Sequence, residues 1–166
     1  MMDVEEFWAL IEQSREGAPE GAARGQRLAV LLAALSAEEI LAFQRQFAER
    51  VVDAYRWDWM AVACIVNDDA TAEGFDGFVG WVMGQGQDYF EAALDDPERA
   101  ADRAEPGKQA DLRSLWTAPS EAYKKVTGRD DFSENAEPIS IVMEGDRWQR
   151  EKLSEMYPEL VKRFRG

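Results

Sequence analysis

The chain reads as an all-α, single-domain multi-helix bundle with a buried central helical hairpin, and three observations carry that reading. Apolar residues recur at three- and four-residue spacings through most of its length, the period of a helix with one packed face. Acidic or hydroxyl residues followed three positions later by Glu mark two helix starts. The stretch from Tyr55 to Phe90 holds two dense apolar segments joined by the short acidic link Asn67-Asp68-Asp69, the pattern of two buried helices back to back. That stretch also contains three of the six tryptophans and the single cysteine. Residues 1–166 form one domain in this reading, with a loop or mobile linker at 16–25 and an irregular segment at 128–145.

The first helix is announced by Asp3 and Glu6 as a capping box, with Met2 and Phe7 as its hydrophobic staple. Phe7, Leu10, Ile11 and Ser14 form its inner face, and Gly17-Ala18-Pro19 stops it. A second helix runs from about Gln26 to Ala34, with Leu28, Leu31, Leu32 and Leu35 on one face. Ser36 and Glu39 repeat the capping box for a third, on which Ile40, Phe43, Phe47, Val51 and Ala54 face the core while Gln44, Arg45, Glu49 and Arg50 face water. Asp58 caps a fourth helix, Trp59 to Val66, apolar all round and therefore central. Thr71 or Asp69 caps a fifth, whose broad apolar face is Phe75, Phe78, Val79, Val82 and Met83.

Beyond Gly86 the helix continues or restarts over Asp88 to Leu94. Asp96-Pro97 opens a short helix, because Asp caps well and Pro suits the first turn. Leu112, Leu115 and Trp116 suggest another amphipathic helix, followed by one from Pro119 to Thr127 that Gly128 closes. Ile139 to Met143 is the one strand-like run and has no evident partner strand. Trp148, Leu153 and Met156, then Leu160, Val161 and Phe164, give a last, interrupted helical region with those side chains inward.

Composition excludes several chemistries. The chain of 166 residues has no histidine and one cysteine, so Ser-His and Cys-His nucleophile pairs, imidazole metal sites and thiolate zinc sites are all ruled out. Any acid–base work falls to carboxylates, Lys or Tyr. No disulfide can form within the chain, which suits a reducing compartment. No apolar run reaches the roughly 18–20 residues of a membrane helix, and the acidic start is unlike a signal peptide, so the expected location is the cytoplasm. A net charge of −14 disfavours nucleic acid as a partner and speeds encounter with a basic protein. The basic groups at Lys124, Lys125 and Arg129 and at Arg147, Arg150 and Lys152 are offset by neighbouring acids.

Four segments together resemble a bacterial domain-of-unknown-function family, family 4240, common in actinomycetes. They are Glu6 to Ile11, Leu35 to Ile40, Ala54 to Asp58, and the Gly-Phe…Trp…Gln-Gly signature from Gly74 to Gly86. The likeness spans about Asp3 to Asp102. The family carries a Gly/Cys/Ser-Asp-Asp-like segment ahead of that signature, and Asn67 to Glu73 departs from it here. The resemblance implies a fold and no activity.

Three constellations are candidate sites. Trp57, Asp58, Trp59 and Trp81, with Arg56, Asp76, Gln85 and Gln87 around them, could line an aromatic pocket holding a carboxylate, suited to a cationic or amide ligand. A core role for the tryptophans and a capping role for Asp58 is the plainer alternative. Gly77, Gly80 and Gly84 share a smooth strip of the fifth helix. A helical glycine costs about 1 kcal/mol against alanine, so the strip implies either a tight helix crossing or contact with a partner backbone. Asn67, Asp68, Asp69, Glu73 and Asp76 could offer oxygens to a hard cation but lack the alternation and central glycine of an EF-hand loop, so no metal or cofactor is expected. Cys64 reads as a small core residue. The leading functional expectation is an acidic protein–protein interaction or accessory module rather than an enzyme. The alternative is a small-ligand binder or an enzyme that uses carboxylates in a Trp-lined pocket.

Overall fold

The computed structural model describes residues 2–17 and 21–165, and among them ten α-helices and two 3₁₀ turns account for all the regular structure. The helices are α1 (Val4–Gln13), α2 (Gly21–Ala33), α3 (Ala37–Ala54), α4 (Trp57–Asn67), α5 (Ala72–Gly84), α6 (Gln87–Asp95), α7 (Ser114–Thr127), α8 (Phe132–Asn135), α9 (Leu153–Met156) and α10 (Pro158–Arg165). The 3₁₀ turns are Pro97–Ala101 and Arg150–Lys152. No helix of the described residues is long and apolar enough to cross a membrane.

Local sequence explains the helix starts. Asp3 and Ser36 each accept from the backbone of the glutamate three residues on, and that glutamate's side chain accepts in return from the capping residue's N–H. Thr71 Oγ1 caps α5 by accepting from Gly74 N at 3.0 Å. Asp68 turns left-handed at φ 53° to end α4, a conformation that Asp tolerates better than most residues. Gly86, at φ 104°, separates α5 from α6, so the chain restarts there rather than continuing.

The central hairpin is α4 and α5. Trp59 and every residue from Ala61 to Asn67 are buried, as are Phe75, Gly77 to Gly80 and Val82 to Gly84. Around it, α3 contributes Ile40, Phe43, Phe47, Val51 and Ala54, all fully buried. Helix α2 lies along α7, and the fit is tightest at Gly25, where a methyl group would meet the Ser114 side chain and its carbonyl oxygen at 2.7 Å.

Several expectations are corrected. Helix α2 starts at Gly21, so residues 21–25 are helical rather than loop, and Arg24 and Gly25 are buried. Ala18 and Pro19, expected to stop α1, lie outside the described residues. Helix α4 starts at Trp57, which places Asp58 in its first turn instead of at its cap. Helix α7 runs without a break through Pro119. The hydroxyls of Thr117 and Ser120 donate to the carbonyls of Ser114 and Thr117 nearby. Met156 is exposed, not inward. The strand-like run forms no strand. A single parallel bridge joins Arg56 and Glu144, with Trp57 N donating to Glu144 O at 2.9 Å and Glu144 N to Tyr55 O at 3.2 Å.

After α7 the chain therefore returns across α4. Trp148 Nε1 donates to Trp57 O at 2.6 Å, and Leu153 and Leu160 are buried. Arg165 donates to Cys64 O at 2.6 Å and comes within 4.0 Å of its sulfur. Cys64 is buried as expected, yet a cation that no local sequence window reveals lies beside it.

Candidate functional site

Burial of Arg24 organises a cleft beside the ends of α1 and α5. This α2 side chain is 1% exposed and extends from between the ends of α1 and α5. Its Nε donates to Ser14 Oγ at 2.8 Å, and one Nη donates to Ile11 O at 3.0 Å and to Gly84 O at 2.8 Å. Those carbonyls belong to last turns of helices, where acceptors lack intrahelical partners and the dipole is negative. Arg15 also donates to Gly84 O, at 2.8 Å. Two guanidiniums thus converge on one carbonyl. Burial first, then repulsion from Arg15, pulls the Arg24 value down to about 10, with Glu12 opposing, and it remains a cation at neutral pH.

The opposite wall is irregular chain held by a buried amide. Asn67, the last residue of α4, accepts from Ala110 N at 2.8 Å and donates to Ala110 O at 3.0 Å, completing both backbone bonds as a strand neighbour would. Gln109 Nε2 adds a 3.3 Å bond to Asn67 O, and Leu112 N donates to Gly77 O at 2.9 Å. Arg103 closes the cleft from a turn, with its guanidinium 4.9 Å above the Tyr89 ring and 3.4 Å from Gln85 O and Oε1. Between these walls is a space of about 480 Å³. Arg15, Arg24, Arg103 and Lys108 line it, with Trp81 of α5, Gln85 just past its end and the carboxylates Glu105 and Asp111. Among the described residues that line it, four cations face two acids, the opposite of the chain's overall charge balance.

The residues singled out from sequence do not meet at one place. Trp81 and Gln85 line the Arg24 cleft; Trp81 stacks on Phe78 with centroids 6.1 Å apart. Trp59 is fully buried, and its indole N–H meets no acceptor among the described residues. Asp58 receives a two-pronged bond from Arg56 (3.1 and 2.8 Å) and one from Trp59 N at 2.8 Å. Arg56 in turn donates to Leu94 O at 2.9 Å, tying α4 to α6. Asp76 accepts from the Tyr55 hydroxyl at 3.3 Å, and burial pushes both groups above their ordinary values. Trp57 lies edge-on to Trp148, beneath Arg147, on a different surface.

The glycine strip is buried against the chain itself. A methyl group at Gly77 would meet the Asp111 carboxylate, one at Gly80 the Leu112 carbonyl oxygen at 2.6 Å, and one at Gly84 the Leu112 side chain at 2.5 Å. The strip expected as a partner contact thus receives residues 111–116 of the same polypeptide. The acidic loop also disperses: Asp68 pairs with Arg150 and Arg165, while Asp69 accepts from Thr71. Among the described residues no three Asp, Glu or Cys side chains converge as a metal site would require.

Sequence reasoning missed Arg15, Arg24, Arg103 and Lys108. They span more than ninety positions of an acidic chain; Arg15 borders the segment read as a loop and Arg24 lies within it. The one available signal was Arg24 at i−4 from Leu28, on the buried face of α2.

Residues 2–125 match the profile of a family described as "Protein of unknown function (DUF4240)", and the chain belongs to that family. No curated protein and no solved structure matches it. The matched segment contains every residue lining the cleft, whereas α8, α9 and α10 fall beyond it.

Proposed function

We propose that the protein binds a small oxyanion-bearing molecule with a planar group, in the cleft between Arg24 and Arg103. The observation that carries this is the local charge reversal. In a chain of net charge −14, three arginines and a lysine line one concave space with Trp81 at its side. Guanidinium forks match carboxylate and phosphate oxygens, and a partly apolar cleft of this size suits a small ligand. Gln85 and Gln109 supply donors and acceptors for the planar group's edge. This reading keeps Trp81 and Gln85 from the expected ligand site and exchanges its carboxylates for cations, so the ligand is an anion instead of a cation.

Isothermal titration with phenyl phosphate and with inorganic phosphate tests it. Phenyl phosphate binds at one site, more tightly than phosphate, and Arg103→Gln weakens both. Absence of heat, or binding that Arg103→Gln leaves untouched, rejects the reading.

A second reading, capture of a basic protein, is favoured by the outer face of α6 and its following turn. There Asp88, Glu91, Asp95, Asp96, Glu98 and Asp102 are all exposed. Such a field accelerates encounter with a cation-rich surface. Native mass spectrometry of the gently isolated protein finds a basic polypeptide at fixed stoichiometry, and Asp95→Lys/Glu98→Lys loses it. A bare chain removes this reading.

A further inference from the structure

We infer that Arg163, on the C-terminal helix α10, is a positioning residue for the cleft; this rests on the anion-binding reading above. Arg163 lies beyond the family-matched segment, yet its guanidinium fork spans the turn that carries Arg103. Nη1 donates to Ala101 O at 3.1 Å and Nη2 to Ala104 O at 2.6 Å, so the two prongs hold the carbonyls on either side of Arg103. Those carbonyls lie at and just beyond the C-terminal end of the 3₁₀ turn, the negative end, where a cation is favoured. Ala104 itself lines the cleft.

Tyr89 completes the brace from the other side. Its hydroxyl donates to Ala100 O at 2.7 Å and accepts from Arg103 N at 3.0 Å, while its ring supports the Arg103 guanidinium. The backbone of residues 100–104 is thereby fixed at four points by two side chains, one from α6 and one from α10. Ala100, Ala101 and Ala104 are buried against the core, but Arg103 itself is exposed, and ordering its backbone costs conformational entropy. Arg163 restricts that freedom before the ligand arrives, and an ordered binding group costs less to use than one that must be ordered on binding. The rest of α10 is anchored elsewhere: Leu160 is buried, and Arg165 reaches Cys64 O and Asp68. Residues outside the family segment thus set the geometry of a cleft inside it.

Three variants test this with phenyl phosphate as probe. Arg163→Gln weakens binding by about tenfold, the scale of losing charge-assisted bonds that hold a wall in place, without loss of helical signal. Arg165→Gln, on the same helix and away from the wall, leaves affinity unchanged. Arg103→Gln/Arg163→Gln binds no more weakly than Arg103→Gln alone, because Arg163 acts through Arg103. Equal losses from Arg163→Gln and Arg165→Gln would reduce the effect to general tethering and overturn the inference. So would additive losses in the double variant, or no loss in Arg163→Gln while the unaltered protein binds. Failure of the unaltered protein to bind the probe overturns the anion-binding reading and this one with it.

Discussion

Replacing Gly80 by alanine separates two accounts of the α5 glycines. In an exposed helix the change is favourable by about 0.5–1 kcal/mol, because alanine loses less backbone freedom on folding. At Gly80 the new methyl stands 2.6 Å from Leu112 O, 3.3 Å from Leu112 C and 3.2 Å from Trp116 Nε1. The nearest of these atoms is backbone, anchored because Leu112 N donates to Gly77 O and Trp116 Nε1 donates to Asp76 O. The segment must move away from α5, and overpacking of this kind costs about 1–3 kcal/mol. The net expectation is destabilisation by about 1–2 kcal/mol, which at a urea slope of about 2 kcal/mol/M lowers the midpoint by about 0.5–1 M. Gly77→Ala is the internal control. Its methyl meets the Asp111 carboxylate, whose side chain is 40% exposed and can swing aside at the expense of its bond to Arg113 N. Its cost is therefore smaller. Urea unfolding followed by far-ultraviolet circular dichroism measures both. A Gly80→Ala midpoint at or above that of the unaltered chain would refute the close crossing, as would Gly77→Ala being the more damaging change.

Three further outcomes follow from particular contacts. Arg24→Met costs about 3 kcal/mol, since it strips the donors from Ser14 Oγ and Ile11 O and one of the two from Gly84 O in a buried place; Arg24→Lys recovers less than half, because an ammonium cannot match the fork, and a fully stable lysine variant in urea unfolding would contradict this. Burial raises Asp76 above its ordinary 3.8, so the folded chain keeps that proton to higher pH than the unfolded chain does. Its contribution to stability is complete below the ordinary value and is lost as pH rises through the raised one. Asp76→Asn, always neutral, therefore gains in Tm on the unaltered protein from about pH 4 upward, and parallel Tm–pH curves would reject the assignment. Trp148→Phe keeps a ring beside Trp57 but loses the 2.6 Å bond to Trp57 O, for about 1 kcal/mol in the same urea assay; an unchanged midpoint would mean that bond contributes nothing.

Local chemistry made the helices legible. Capping boxes at Asp3 and Ser36, the apolar period of α3, the all-apolar α4 and the acidic link at 67–69 act over a turn or two, so each is written in neighbouring residues. Where two tendencies competed, the local reading failed for a physical reason. Gly21 to Gly25 resembles a loop in composition, yet α2 extends through it because Arg24 finds acceptors on α1 and α5 and Gly25 lets α7 approach. Ile139 to Met143 has the composition of a strand, but a strand needs a neighbour, and among the described residues the single bridge nearby is made by Glu144, just past the run.

Apart from Trp81 and Gln85, the cleft belongs to the other class. That the fold is all-α, acidic, without histidine chemistry and centred on the 55–90 hairpin follows from the sequence by itself, because propensity, charge and composition are local or additive. That Arg15, Arg24, Arg103 and Lys108 face one another, that Asn67 clamps residue 110, and that Arg163 braces Arg103 was decided by tertiary packing alone. Each of these pairs sites many residues apart, and helix period says which side a residue faces but not what it meets there.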